Sequence, residues 1–93
     1  MVQARWNGAV IADSDETLVV EGNHYFPPQS VNHEYLEATD HTTICPWKGT
    51  ARYFTISVNG ALNPNAAWTY PEPKPDAASI RDYIAFWKGV AVN

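Results

Sequence analysis

A single cysteine, only six lysines and arginines together, and no apolar run longer than a few residues set the first limits on this chain of 93 residues. One thiol closes no internal disulfide, and alone it builds no four-thiolate zinc site of the kind that braces many small β domains. The expected setting is a reducing cytoplasm. The basic residues are scattered and outnumbered by ten acidic ones, for a formal charge of −4, whereas a protein that grips a nucleic-acid backbone needs a cationic stripe. Nucleic acid is therefore not an expected partner. A bilayer span takes about 20 apolar residues, and the run Leu18-Val19-Val20 is closed at once by Glu21 and Gly22. Met1 to Trp6 has neither the basic start nor the apolar stretch of a secretory signal, so neither a membrane nor secretion is expected. The sequence also has no Gly-rich phosphate loop, no heptad and no internal repeat. Its histidines at 24, 33 and 41 fit no standard zinc spacing. No metal and no cofactor is expected.

Aromatic residues are abundant: they make up 13% of the chain, with four Trp and five Tyr, and hydrophobic residues make up 45%. That is enough for one core. A domain of this length buries about 60–65% of the surface of its unfolded chain, which leaves no room for a second lobe. Residues 1–93 read as a single domain, a monomer or small homo-oligomer. Asn7-Gly8, Gly22-Asn23 and Asn59-Gly60 each sit between apolar or β-branched runs, and such pairs tolerate the positive φ of tight hairpin turns. The resulting expectation is strands near 2–6, 9–13, 17–21, 24–27, 42–45, 51–58, 61–62, 66–70, 83–87 and 90–92. The clearest is 51–58, where Phe54, Ile56 and Val58 alternate with Tyr53, Thr55 and Ser57. Helix is scarce: a turn or two from Ser30 to Leu36 with Ser30 as its cap, and another after Asp76 or Ser79. Pro71-Glu72-Pro73-Lys74-Pro75 reads as a stiff extended loop.

The segment Thr43-Ile44-Cys45-Pro46-Trp47-Lys48-Gly49 runs from a strand into a Pro- and Gly-bounded turn that carries a thiol, an indole and an amine. Cys45 has two readings, a small buried side chain beneath the turn or a nucleophile that needs a neighbouring cation or base. Lys48 is near enough in sequence to serve. His41 lies about 13 Å along an extended strand and would need a bulge to reach the thiol. Lys48 and Arg52 also suggest an anion site at the turn, against the simpler reading of surface charges whose stems lie on aromatics. Trp6, Tyr25, Trp47, Trp68, Tyr70 and Trp87 supply rings for a core or for the walls of a ligand cage. Asp13-Ser14-Asp15 is the only Asp-x-Asp, the pattern that two-metal nucleotidyl transfer would call for, but Asp and Ser are also the residues expected in a turn.

The segments Gly8 to Ser14, Glu21 to Pro27, Cys45-Pro46-Trp47-Lys48-Gly49 with Ala51 and Tyr53, Asn65 to Tyr70, and Ile84-Ala85-Phe86 together resemble the bacterial family known as domain of unknown function number 427, also labelled nucleotidyltransferase-like. The resemblance spans nearly the whole chain, and its most specific block is Cys-Pro-Trp-Lys-Gly. It implies a compact β fold similar to the tent-shaped sheets of methionine sulfoxide reductase B and cereblon ligand-binding domains, and the hairpin signals fit an all-β domain of about eight to ten short strands in such a tent or a small barrel-like arrangement. Relatives of that fold often hold zinc with paired Cys-x-x-Cys motifs, which this sequence does not have. Together with its place on the short helix, the resemblance also suggests Glu34 as a polar partner for Lys48.

Two classes of function follow from these residues. One is a module that binds a small aromatic or anionic molecule near the turn, with Trp47, Arg52, Tyr53, Trp68 and Tyr70 as ligand-binding residues. The other is an enzyme in which Cys45 is nucleophile or redox thiol, Lys48 the cation that lowers its pKa, and Glu34 or a histidine the proton carrier; the family label adds a nucleotidyltransferase-like activity as a further alternative.

Overall fold

A computed structural model describes residues 1–93 and is all-β, with antiparallel sheets, no closed barrel, and helix only as 3₁₀ turns. Nine strands are present: β1 Val2–Trp6, β2 Ala9–Ser14, β3 Leu18–Val20, β4 Asn23–Tyr25, β5 Leu36–Cys45, β6 Gly49–Val58, β7 Ala61–Thr69, β8 Ile84–Phe86 and β9 Ala91–Val92. They form a three-stranded sheet in the order β2-β1-β9, a two-stranded hairpin β3-β4, and a four-stranded sheet β5-β6-β7-β8. No helix is long and apolar enough to cross a membrane.

The four-stranded sheet is the central layer because its middle strands bury residues on both faces. Ala51 and Tyr53 of β6, Trp68 of β7 and Ala85 of β8 join a cluster with Tyr25, Tyr70, Ala77 and Ile80. Ile56 and Val58, Ala66 and Ala67, and Ile84 and Phe86 join the other cluster, with Ala4, Ile11, Ala12 and Phe26. Neighbouring side chains on a strand point to opposite faces, so the β1-β2-β9 sheet covers one side of the central sheet and the β3-β4 hairpin with the segment 75–80 covers the other. The end of β4 and the residue after it feed both layers, since Tyr25 and Phe26 are adjacent, fully buried, and belong to different clusters. The expectation for 51–58 thus holds as a strand and changes in detail: Tyr53 is buried too.

Several boundaries move for local reasons. The turn between β3 and β4 is Glu21-Gly22, with φ of 52° and 80°, and Asn23 already belongs to β4. The expected helix over 30–36 is two 3₁₀ turns, Pro28–Ser30 and His33–Tyr35, and Leu36 opens β5. Ser30 does not cap it, because its hydroxyl donates to the Pro27 carbonyl at 2.7 Å. Val31 instead bridges Ala12, and the Asn32 N–H donates to the Ile11 carbonyl at 2.8 Å, which keeps the segment extended. Strand β5 begins six residues before the expected 42 and is irregular between Ala38 and Thr42. The expected strands 61–62 and 66–70 are one strand, because Pro64 and Asn65 (φ 54°) sit in a bulge opposite the shift between Phe54 and Ile56; a bulge is where a sheet tolerates proline. The turn expected after Asp76 or Ser79 is a 3₁₀ segment over Pro75–Ile80.

Candidate functional site

Lys48 is the residue around which the site is built. It lies in the three-residue turn between β5 and β6, where Cys45 and Gly49 are register partners, and its side chain is only 8% exposed. A buried ammonium needs partners. The carboxylate that meets it is Glu21, from the β3-β4 turn, at hydrogen-bond distance from Nζ. The indole Nε1 of Trp47 donates to the same carboxylate at 3.4 Å. The Lys48 ammonium also stands 5.3 Å from the ring centre of Tyr70 and 5.6 Å from that of Trp47, within cation–π range.

Behind the turn, Pro71-Glu72-Pro73-Lys74 crosses as a strap. The Lys74 N–H donates to the Lys48 carbonyl at 2.9 Å and the Lys74 ammonium to the Pro46 carbonyl at 2.6 Å. The proline loop therefore clamps the Cys-Pro-Trp-Lys-Gly turn from outside, and the direction in which Lys48 points is fixed by backbone bonds.

Beside Lys48 lies a hollow of about 260 Å³ bordered by Asn23, Lys48, Tyr53, Trp68, Tyr70 and Trp87. Three of its rings are in mutual contact: Trp68 and Trp87 edge to face with centres 5.8 Å apart, and Tyr53 6.4 Å from each. Each ring is held from behind. The Trp68 Nε1 donates to the Tyr25 hydroxyl at 3.1 Å, Trp87 Nε1 to the Asn65 carbonyl at 2.7 Å, and the Tyr53 hydroxyl shares a 3.0 Å hydrogen bond with Thr43. His41 packs on Tyr53 with ring centres 4.6 Å apart and planes inclined at 61°.

The residues expected from the sequence divide into two groups. Lys48, Tyr53, Trp68 and Tyr70 converge on the hollow, and Trp47 stands beside it through Glu21 and Lys48. Arg52 does not join them: it is exposed on the outer face with Thr50, Pro71 and Glu72. Cys45 is half-buried against the Tyr25, Ala51 and Tyr70 cluster and does not border the hollow. Glu34 is exposed and accepts a 3.4 Å hydrogen bond from Asn32; the expected pairing with Lys48 is made by Glu21 instead. Asp13 and Asp15 are engaged apart from each other, the first with Gln3 and the second with the terminal ammonium of Met1. Glu21 and Asn23 are not expected from the sequence as site residues, and Trp87 is expected only as one of six rings for a core or a ligand cage. The Glu-Gly-Asn turn was the available signal for the first two.

The charges reinforce this geometry. The hydrogen bond from Lys48, and then that from Trp47, hold the Glu21 carboxyl below the usual carboxylate range. Burial alone would pull the Lys48 ammonium down, but the Glu21 hydrogen bond and the nearby Tyr25 and Tyr70 outweigh it and hold it above the usual lysine range. Burial pushes the Tyr70 phenol up, against the pull of Lys48. A depressed carboxyl contributes stability that is present above its unfolded value, about pH 4.3, and is lost as pH falls through the folded value. Raised Lys48 and Tyr70 contribute stability that is present below about pH 10 and lost as pH rises through their folded values. Thermal unfolding across pH should therefore show declines at both ends, and Glu21→Gln should flatten the acid one; an unchanged acid limb would show the pair to be energetically idle.

No curated protein matches this sequence. A family model does, over residues 1–93, and it includes the clamped turn, the hairpin that pairs with it and all six residues around the hollow. The chain belongs to the family described as a domain of unknown function (DUF427).

Proposed function

We propose that this protein is a binding module, and that its hollow receives a small planar aromatic molecule. The observation that carries this reading is the convergence of Tyr53, Trp68 and Trp87 on one concave surface, each ring fixed by a hydrogen bond at its polar atom. Binding sites commonly combine such apolar walls with a few placed polar groups, a role that Asn23, Lys48 and Tyr70 fill. A volume of about 260 Å³ lies just under the roughly 300–1,000 Å³ of drug-sized sites, so the ligand has one or two rings. Cys45, away from the hollow, takes no part in this reading.

Trp87 is the residue to test, because it is 45% exposed and belongs to neither core cluster. Stacking on one aromatic ring contributes about 1–3 kcal/mol, so Trp87→Ala should weaken binding roughly fivefold to 150-fold. The measurement is a thermal-shift series with quinoline, indole-3-carboxylate and benzenesulfonamide, with cyclohexanol and acetate as non-aromatic controls. An aromatic compound is expected to raise the melting temperature of the wild type, and to raise that of Trp87→Ala clearly less at the same concentration. No shift with any aromatic compound, or a shift of undiminished size in Trp87→Ala, would overturn the reading.

A further inference from the structure

The β3-β4 hairpin pairs with no other strand. Its base is anchored by the buried Tyr25 and by the bridge between Phe26 and Ile84, and its tip reaches the rest of the molecule through Glu21, which meets Trp47 and Lys48. Glu21 is not among the residues that border the hollow, while Lys48 and the adjoining Asn23 are. Lys48 thus borders the hollow and at the same time holds a half-exposed carboxylate outside it.

Resting on the reading of the hollow as an aromatic site, we infer that its ligand carries an anionic group on the ring, that Lys48 receives that group, and that Glu21 sets the affinity by sharing the same ammonium from outside. A lysine ammonium has three donors, and Glu21 uses one of them, so a second anion is accommodated. Lys48 is already out of water, which removes much of the desolvation that an anion–lysine contact normally costs. The Glu21 charge works against the ligand. Two anions on one ammonium stand roughly 5 Å apart, and at a dielectric near that of water, as suits the half-exposed Glu21, their repulsion weakens binding about three- to tenfold.

Protonation of Glu21 relieves the repulsion. The groups around this pair are Trp47 in the turn, Tyr25 from β4, and Tyr70 after β7 with Cys45 near it; the Lys74 ammonium on the strap is held by the Pro46 carbonyl. Of the two members of the pair, the carboxylate is the one that titrates on the acid side, and Lys48 stays charged throughout.

The test compares benzenesulfonate, which stays ionised in acid, with the neutral benzenesulfonamide, by calorimetry on wild type, Glu21→Gln and Lys48→Met. Glutamine keeps the shape and an oxygen acceptor for Lys48. At pH 7 Glu21→Gln is expected to bind the sulfonate about three- to tenfold more tightly and the sulfonamide as the wild type does, and Lys48→Met should lose the preference for the sulfonate. Lowering the pH should tighten sulfonate binding to wild type and leave Glu21→Gln unchanged. Equal sulfonate affinities in wild type and Glu21→Gln, or an equal gain for both compounds, would overturn the inference while leaving the aromatic site standing. Failure of both compounds to bind any of the three proteins would overturn the inference and count against the aromatic site as well.

Discussion

Trp68→Ala should remove about 3–5 kcal/mol of stability, the usual cost of truncating a large core aromatic to alanine. A domain of this size is stable by roughly 5–15 kcal/mol in all, so the variant should unfold at much lower urea and at a melting temperature at least about 12 °C lower. Trp68 sits where the two supports of one core layer meet. It stands edge to face with Tyr25 at 6.2 Å and with Trp87 at 5.8 Å, and its indole nitrogen donates to the Tyr25 hydroxyl. Alanine leaves a cavity between the central sheet and the hairpin that covers it. The hydrogen bond itself is a smaller part, about 1 kcal/mol net, so Trp68→Phe, which keeps most of the apolar area, should lose less than half as much. If Trp68→Ala melted within about 4 °C of the wild type, this layer would not depend on the Tyr25–Trp68 contact.

The same residue shows how far a linear reading reaches. Trp68 and Tyr53 lie on short strands bounded by turn residues, and period-2 alternation is enough to place them on a sheet. What alternation does not reveal is that β6 and β7 are covered on both sides, because a strand at the centre of two layers loses the contrast between wet and dry faces. Strand β5 was hard to read for the opposite reason. Leu36-Glu37-Ala38-Thr39-Asp40-His41 is an edge with most residues exposed, so it offers little apolar pattern, and its bulge breaks the period. Pro64 made one strand look like two, since the bulge that admits a proline is set by the partner strand.

In the site, the turn from Cys45 to Gly49 pointed to Lys48 because Pro, Trp and Gly together constrain a loop. Glu21 and Trp87 are far from it in sequence, and only the pairing of sheets brings them there. An acidic residue beside a hairpin glycine looks like any solvated turn until a buried lysine is found opposite.

Gly49→Ala should be the most damaging single change in that turn, at about 2–4 kcal/mol, the sum of about 1–3 for a backbone conformation closed to side chains and about 1 for a displaced hydrogen bond. Gly49 has φ of +116°, and a methyl group there would lie 3.3 Å from the Glu72 carbonyl oxygen and 3.6 Å from Pro73 Cα. Both neighbours are backbone of the proline strap and have no rotamer to change. The strap must move outward, which strains the Lys74-to-Lys48 bond and with it the aim of the lysine. Gly60→Ala is the control, because Gly60 also has positive φ, +80°, but no atom within 4 Å of the added methyl; it should cost about 1–2 kcal/mol and leave the hollow as it was. Denaturant unfolding of the two variants measures the difference, and benzenesulfonate binding at a temperature where both are folded reads the aim of Lys48. A Gly49→Ala protein no less stable than Gly60→Ala, and binding the sulfonate equally well, would mean that the strap yields freely and that the direction of Lys48 is set by Glu21 alone.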